Sequence, residues 1–160
     1  MKHPVRNGLL LAALIFIADQ LSKWYMLEIV NIANRPAIEV APFLKLVMVW
    51  NSGVSFGMMH DFPHAHLLFS GLAFIICCLL VLWLVKAQHL LTVIGVGAII
   101  GGAMGNVIDR LRFGAVADFF YFHIADFYWP AFNIADAAIC IGAGFIIIES
   151  FIQKKNEKNS

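Results

Sequence analysis

The sequence predicts an all-α polytopic membrane protein with four transmembrane helices, a small extracytoplasmic β-sheet and an aromatic extracytoplasmic loop. Of its 160 residues, 61% are hydrophobic and only 13% are charged, whereas a soluble domain averages about 25% charged residues. Four apolar stretches are each long enough to cross about 30 Å of hydrocarbon. Polar residues gather between the stretches and at their ends. At this length we expect a single membrane domain over residues 1–160.

The predicted spans are residues 8–30, 67–85, 90–108 and 134–152. The second and third contain no charged side chain, whereas the first and fourth contain a few. The first follows a basic N-terminus, as the apolar part of a cleaved signal peptide does, but no small-x-small cleavage site comes after it. Asp19 and Lys23 interrupt its apolar run instead. A retained helix is therefore predicted.

The distribution of lysine and arginine predicts the orientation. Six of the eleven lie in the two termini and in the short turn after the second span: Lys2, Arg6, Lys86, Lys154, Lys155 and Lys158. Because cytoplasmic loops carry an excess of basic residues, both termini are expected in the cytoplasm. The connecting segments 31–66 and 109–133 are then expected on the outer side.

The two outer segments differ in character. Residues 38–50 are rich in Val, Leu and Phe and are followed by the turn-forming sequence Asn51-Ser-Gly53, a pattern typical of strands. Residues 113–132 are strongly aromatic, and amphipathic rings settle at the level of the lipid headgroups. The first segment is expected to form a small sheet on the bilayer surface. The second is expected to be an aromatic loop, with residues 119–132 as a candidate lid.

Small residues within the spans predict how the helices pack. Gly97, Gly101 and Gly105 recur every four residues and give the third helix a smooth face for close helix contact. The three cysteines all lie in apolar stretches and are expected to pack rather than to form disulfides: Cys77, Cys78 and Cys140. The net charge of +1, without a block of basic residues, argues against nucleic acid as a partner.

In this topology the polar residues of the spans converge on the outer side of the membrane. Asn106 and Asp109 lie at the outer end of the third span, three residues apart and on one helix face. Asp19 and Lys23, four apart in the first span, are expected to form an ion pair. The same end also receives Asn51, Asp118, Asn133 and Asp136. Ionisable residues inside spans are costly and mark a functional site by default.

Asp118 and Asp136 are the candidates for acid–base chemistry. Asp109 is different, because Arg110 and Arg112 follow it; a neighbouring cation favours the ionised carboxylate, so Asp109 is interpreted as a structural or orienting partner. Asp118 and Asp136 have apolar neighbours and, if brought close, would share one proton. One could then accept a proton from water while the other donates one to a carbonyl, as in an aspartic peptidase. The residues alone leave equally open that each is a buried, hydrogen-bonded carboxylate.

Five motifs follow one another along the chain. They are Asp19-Gln-Leu-Ser-Lys23, Asn51-Ser-Gly-Val-Ser-Phe-Gly57, Gly101-Gly-Ala-Met-Gly-Asn-Val-Ile-Asp-Arg110, Val116-Ala-Asp-Phe-Phe120 and Phe132-Asn-Ile-Ala-Asp136. With four spans of matching topology, they cover nearly the whole chain. In this combination the sequence resembles the lipoprotein signal peptidases, also called signal peptidase II.

The resemblance implies an aspartic endopeptidase that removes the signal peptide from diacylglyceryl-modified prolipoproteins, cleaving before the lipidated cysteine. It implies Asp118 and Asp136 as the catalytic pair, without a metal or an organic cofactor. Residues implied to line or support the site are Asn51, Gly53, Asn106, Arg110, Asn133, Asp19, Lys23 and Asp109. The expected partners are the lipid-modified prolipoprotein and membrane lipids. A monomer is expected in the bacterial cytoplasmic (inner) membrane, with its active site near the outer face.

One local alternative concerns the first catalytic residue. The sequence Ile124-Ala-Asp126-Phe repeats the pattern around Asp118. Asp118 lies nine residues after Asp109, as the family pattern suggests, whereas Asp126 lies seventeen after it. Asp126 is therefore interpreted as a solvated loop residue.

Particular residues also suggest two other classes of function. A metal enzyme is suggested by the cluster His60, Asp61, His64 and His66, but these residues lack metalloprotease spacing and surround Pro63. A transporter or proton channel is suggested by carboxylates within spans. However, the second and third spans are uncharged, and Glu149 alone lies towards the inner side. Both classes fit less well than a peptidase.

Overall fold

A computed structural model of the protein describes residues 3–53, 64–125 and 127–158. Four α-helices are long and apolar enough to cross a membrane. They are α1 (Pro4–Trp24), α2 (Ala65–Lys86), α3 (Leu90–Phe113) and α4 (Ile134–Lys158). A π-helical turn, Tyr25–Ile29, prolongs α1. The described part of the chain thus has the predicted four membrane-capable helices.

The helices run beyond the apolar stretches at their polar ends. α3 continues to Phe113 and carries Arg110 and Arg112 in its last turn, where cations interact favourably with the helix dipole. It ends at Gly114, whose φ of 76° lies in the left-handed region that glycine adopts at low cost. The apolar pattern predicted a shorter helix because it does not detect a polar last turn.

α3 is the centre of the bundle, and its glycines let α1 approach closely. A Cβ atom at Gly97 would lie 2.6 Å from the carbonyl oxygen of Gly8, and one at Gly101 would lie 2.5 Å from that of Ala12. These distances are shorter than real Cβ contacts, so α1 packs directly on the backbone of α3. The predicted contact face of regularly spaced glycines is confirmed.

The other two helices pack on different faces of α3. A Cβ atom at Gly95 would lie 2.6 Å from the carbonyl oxygen of Gly142 in α4. α2 joins α3 through a buried apolar cluster that also reaches α1: Ala12, Cys77, Leu84, Val96 and Ile100. α1, α2 and α4 make most of their helix contacts with α3 and few with one another.

A four-stranded antiparallel sheet connects the two segments that were expected on the outer side. Its strands are β1 (Ile38–Ala41), β2 (Leu44–Asn51), β3 (Val116–Ile124) and β4 (Phe127–Tyr128), in the spatial order β1-β2-β3-β4. The small antiparallel sheet is therefore confirmed, and it is larger than residues 38–50 alone predicted. In the β2–β3 pair, Val49 lies opposite Asp118 and Asn51 opposite Val116.

The aromatic segment differs from the expected loop, because β3 is built into this sheet. Phe119 is 1% exposed and packs against Met26 and Ile32. The N–H groups of Phe120 and Phe132 each donate to the other residue's carbonyl oxygen, at 2.9 and 3.0 Å. These backbone hydrogen bonds tie the beginning of the aromatic segment to its end, and the lid over residues 119–132 stays a prediction. Aromatic residues favour strands. The strand β3 was not predicted because its apolar residues do not alternate with polar ones.

Replacing Gly101 with valine should destabilise the bundle, because the added Cβ meets a backbone oxygen that cannot rotate away. Overpacking of this kind costs about 1–3 kcal/mol, measurable as a lower thermal unfolding temperature in detergent. Gly71→Val in α2 is the matched control, since a Cβ there has no heavy atom within 4 Å. Equal melting of the two variants would contradict direct α1–α3 backbone packing.

Candidate active site

The predicted site residues meet where the sheet adjoins the ends of α3 and α4. α1 contributes Asp19 and Lys23, and α3 contributes Asn106, Asp109 and Arg110; the strands and the start of α4 contribute Asn51, Gly53, Asp118, Asn133 and Asp136. A continuous set of hydrogen bonds, ion pairs and charge contacts connects these residues. None of the predicted site residues lies elsewhere.

Lys23 lies between two buried carboxylates. Its Nζ atom is 2.8 Å from Oδ2 of Asp19 and 2.8 Å from Oδ2 of Asp109. The three side chains are at most 3% exposed. The predicted ion pair between Asp19 and Lys23 is confirmed, and it extends to a third charge on α3. A buried ion pair needs this close geometry and further hydrogen bonds to offset the loss of water.

The further hydrogen bonds come from backbone groups next to the candidate catalytic residues. The N–H of Ala117 donates to Oδ2 of Asp109 at 3.2 Å, and the N–H of Ala135 donates to Oδ1 of Asp19 at 2.9 Å. Ala117 immediately precedes Asp118, and Ala135 immediately precedes Asp136. The buried ion cluster therefore fixes the backbone on which each candidate carboxylate is carried.

Two features of this cluster differ from the sequence interpretation. The cation in contact with Asp109 is Lys23, 86 residues away in the chain, while Arg112 lies over the ring of Phe113 at 4.9 Å. Gln20 was not predicted as a site residue, yet its Nε2 donates to Asp19 at 3.2 Å and to Asp109 at 3.1 Å. A polar residue inside a predicted span, next to Asp19, could have identified Gln20 as a site residue.

Asn133 and Asn106 bring Asp118 and Asp136 into one hydrogen-bond network. Asn133 Nδ2 donates to Asp118 Oδ1 at 2.7 Å, and the backbone N–H of Asn133 donates to Asp136 Oδ2 at 3.3 Å. Asn106 Nδ2 donates to Asp136 Oδ1 at 2.8 Å, while Asn106 Oδ1 accepts from Lys23 at 3.2 Å. Both carboxyl groups therefore share the neighbour Asn133, and Asn106 connects them to the ion cluster.

The second carboxyl oxygen of Asp118 is bound by Asn51, the residue at the end of β2. Asn51 Nδ2 donates to Asp118 Oδ2 at 3.0 Å, and Asn51 Oδ1 accepts from the N–H of Gly53 at 2.9 Å. Gly53 has a φ of 91° and lies against Phe69, where a Cβ atom would approach to 2.9 Å. A side chain at this position would be strained, so glycine is required for the turn that orients Asn51.

The environments of the two carboxyl groups are unequal. Asp118 is 1% exposed, whereas Asp136 is partly exposed. The pKa of Asp118 is raised to about 7, mainly by burial and secondly by the nearby Asp136 carboxyl, while hydrogen bonds from Asn51 and Asn133 lower it. A carboxyl group with such a pKa is protonated in about half of the molecules at neutral pH, far more than an ordinary aspartate.

Arg110 faces the same carboxylates. Its Nη1 donates to the backbone oxygen of Asn106 at 3.4 Å. Its positive charge interacts electrostatically with the carboxyl groups of Asp136, Asp109 and Asp118. Its Nε is buried and has no hydrogen-bond partner among the described residues. The guanidinium thus supplies positive charge beside the carboxyl pair.

The described residues do not support a metal site. Across residues 3–53, 64–125 and 127–158, no group of three or more His, Cys, Asp or Glu side chains is arranged to hold a metal ion. His60 and Asp61 of the metal interpretation, and Asp126, lie outside the described residues. His64 and His66 stand edge to face, with ring centres 6.2 Å apart.

Comparisons with known proteins agree with this arrangement. Residues 11–152 match the family model described as "Signal peptidase (SPase) II". The chain belongs to the signal peptidase II family. It is 39% identical over 155 residues to the lipoprotein signal peptidase of Nitrobacter hamburgensis, covering 94% of each chain. It is 40% identical over 151 residues to that of Vibrio vulnificus, covering 92% of this chain and 90% of the other.

Solved structures show the same fold. A bacterial membrane enzyme solved by the in meso method at 2.3 Å resolution superimposes with a TM-score of 0.82 at 30% identity, covering 96% of this chain and 92% of the other. Signal peptidase II enzymes are aspartic peptidases that remove signal peptides from prolipoproteins. This protein is thus a multi-pass bacterial membrane hydrolase of that type. Membership favours the peptidase interpretation over the metal-enzyme and transporter alternatives.

Lys23→Met should destabilise the protein strongly, because it leaves the carboxylates of Asp19 and Asp109 buried without their cation. Breaking a buried ion pair costs about 3–5 kcal/mol, which would appear as a large drop in the unfolding temperature in detergent. Lys45→Met is the control, since the Lys45–Glu39 pair at 3.1 Å is solvent-exposed and exposed pairs contribute about 0–1 kcal/mol. Similar unfolding temperatures for the two variants would contradict a stabilising role of Lys23.

Proposed function

We propose that this enzyme cleaves diacylglyceryl-modified prolipoproteins just before the lipidated cysteine, using Asp118 and Asp136 as its catalytic pair. The observation that carries the proposal is the shared hydrogen-bond network of the two carboxyl groups, in which Asn133 contacts both. Their unequal burial assigns different roles to them. Asp118, whose pKa is raised to about 7, acts as the acid, and the more exposed Asp136 acts as the base.

The reaction follows from these roles. Asp136 accepts a proton from water as the water oxygen attacks the peptide carbonyl carbon, while Asp118 donates its proton to the carbonyl oxygen. The resulting gem-diol collapses when the C–N bond breaks. The leaving nitrogen takes the proton now held by Asp136, and a hydroxyl of the gem-diol returns a proton to Asp118. Both aspartates end in their starting protonation states.

The remaining site residues hold this geometry. Asn106 and Asn133 orient the two carboxyl groups by hydrogen bonds of 2.7–2.8 Å, and Arg110 lies beside them to bind substrate backbone and developing charge. Asn51 and Gly53 hold the outer side of Asp118. Asp19, Lys23 and Asp109 fix the backbone behind both aspartates.

The proposed function includes an orientation of the enzyme in the membrane. Lysines at both termini and after α2 favour cytoplasmic termini, which puts the carboxyl pair near the outer face of the cytoplasmic membrane. Exposed apolar side chains along α1, α2 and α4 suit contact with membrane lipids. The substrate's lipid can remain in hydrocarbon there while its scissile bond reaches the site. A monomer is sufficient, because every site residue comes from one chain.

Asp118→Asn and Asp136→Asn should each reduce cleavage of a purified lipidated precursor peptide by at least about a thousandfold, because each removes one of the two proton-transfer groups. Cleavage before the modified cysteine is followed by mass spectrometry. Glu39→Gln makes the same chemical change on the exposed side of the sheet and should leave turnover unchanged. Retained turnover in either aspartate variant, with normal melting, rejects the catalytic pair.

The pH dependence should reveal the acid role of Asp118. Its pKa is raised to about 7, so the proton is present below neutral pH and is lost as pH rises through that value. kcat/KM should therefore fall above about pH 7. Because the hydrogen bond from Asn51 lowers this pKa, Asn51→Ala should move the alkaline midpoint to higher pH. A midpoint that does not move, or moves to lower pH, would contradict the assignment.

A further inference from the structure

A polar cavity lies at the end of the helix bundle opposite the carboxyl pair. It has a volume of about 230 Å³ and lies where the end of α2 and the start of α3 face α4. Lys86, Thr92 and Gln153 contribute to its lining, one from each helix. Thr92 precedes Asn106 by fourteen residues, a helical distance of about 21 Å, so the cavity takes no part in the proposed reaction. We call it the Lys86 cavity.

One side of the Lys86 cavity presents hydrogen-bond donors and positive charge. α3 begins here, and its N-cap residue, His89, supplies no side-chain cap. The first N–H groups of a helix have no acceptor within the helix and carry partial positive charge. The side chain of Lys86 lines the same cavity. A helix start beside a lysine is an arrangement that binds phosphate groups.

Thr92 is a second, independent indication of a bound polar group. It is 8% exposed and lines the cavity, and its hydroxyl has no hydrogen-bond partner among the residues that the structure describes. Ser70, a buried hydroxyl residue of α2, instead donates to the carbonyl oxygen of His66 at 2.7 Å. Because a buried hydroxyl without a partner is costly, Thr92 points to a ligand that supplies the missing hydrogen bond.

The other side of the Lys86 cavity is acidic. Glu149 of α4 is 7% exposed; its Oε1 accepts from Nε2 of Gln153 at 3.1 Å and lies 3.3 Å from Nδ1 of His89. In the described part of the chain, no lysine or arginine nitrogen lies within 4 Å of this carboxyl group. Gln153 uses its amide nitrogen in this bond, which leaves its carbonyl oxygen as an acceptor. A buried carboxylate without a permanent cation favours a positively charged group in the cavity.

The two sides together favour a zwitterion over a simple anion. A free phosphate would bind at the start of α3 but would be repelled by Glu149, whereas a phosphate that carries an ammonium group satisfies both sides. Trp83 also lines the cavity and is 43% exposed, as tryptophans at the membrane interface are. Exposed apolar side chains adjoin the lining residues in the chain: Leu82, Val85 and Leu90. A ligand with acyl chains and a zwitterionic headgroup therefore fits better than a free ion.

We propose that the Lys86 cavity binds the headgroup of a phospholipid of the phosphatidylethanolamine type. Its phosphate lies at the start of α3 beside Lys86 and Thr92, and its primary ammonium group lies beside Gln153 and Glu149. A primary ammonium has three N–H donors for these acceptors, whereas a trimethylated one has none. The proposed orientation puts this cavity in the cytoplasmic leaflet, so the lipid and the substrate occupy opposite ends of the bundle.

Competition between lipids tests the headgroup without requiring turnover. The purified protein in detergent is mixed with equal amounts of phosphatidylethanolamine, phosphatidylcholine and phosphatidylglycerol of identical acyl chains, and the retained lipid is identified by native mass spectrometry. Phosphatidylethanolamine should be retained about tenfold over each of the others, equivalent to about 1.4 kcal/mol. Equal retention of phosphatidylglycerol would show general attraction to basic residues, and equal retention of phosphatidylcholine would show that the ammonium donors are not recognised. Either result overturns the proposal.

Substitutions on the two sides of the cavity should have different effects. Glu149→Gln keeps the shape but removes the charge, so the preference for phosphatidylethanolamine over phosphatidylglycerol should fall to about twofold or less. Thr92→Val and Lys86→Met should each lower retention of phosphatidylethanolamine about tenfold. Lys158→Met removes an exposed charge in the last turn of α4 and should behave as the wild type. An unchanged preference in Glu149→Gln, or an equal loss in Lys158→Met, contradicts the assignment.

Thermal unfolding in detergent separates a lipid site from a structural role of Glu149. Added phosphatidylethanolamine should raise the unfolding temperature of the wild type saturably, and this shift should disappear in Thr92→Val. If Glu149 serves only as the partner of His89, Glu149→Gln will lower the unfolding temperature equally with and without lipid, and the proposal is wrong. Inorganic phosphate should give no shift. A shift as large as that with lipid would identify a free-anion site instead.

Discussion

The buried contact of Lys23 with Asp19 and Asp109 is the interaction on which the active site depends. Its single positive charge lies 2.8 Å from one carboxylate of α1 and 2.8 Å from one of α3. The same two carboxylates accept the N–H groups of Ala117 and Ala135. A strand and a helix that are remote in sequence are thereby attached to one ion cluster, and each carries its proposed catalytic carboxylate at the next residue. Packing, charge and catalysis are consequently coupled through three side chains.

The division of labour in the proposed catalytic pair arises from position rather than residue type. Asp118 sits on a strand beneath the sheet surface, where burial favours the protonated form. Asp136 lies at the start of α4 with part of its side chain exposed. Asn133 touches both groups. In the proposed mechanism, the different burial of two chemically identical side chains gives them opposite tasks, and Asn133 holds them in one network.

Sequence reasoning predicted what depends on local pattern and missed what depends on distant partners. The apolar runs predicted the helices, and the four-residue spacing predicted the pair of Asp19 and Lys23. Arg110 is the neighbour of Asp109 in the chain and its charge acts on Asp109, but the cation that forms the ion pair, Lys23, is remote in sequence and was not predicted as its partner. The strand β3 was taken for a loop because its pairing with β2 is set by tertiary contacts. Hydrogen bonds from backbone N–H groups, such as that of Ala117, cannot be predicted from the type of side chain.

The central position of α3 has a consequence for biosynthesis. Chains are made from the N-terminus, so α1 and α2 enter the bilayer before their common packing partner exists. During that interval α1 would expose two charges to hydrocarbon. Because Asp19 and Lys23 are one helical turn apart and 2.8 Å from each other, the nascent helix can carry them as a self-neutralised pair. The ion cluster is then completed only when Asp109 arrives with the third helix.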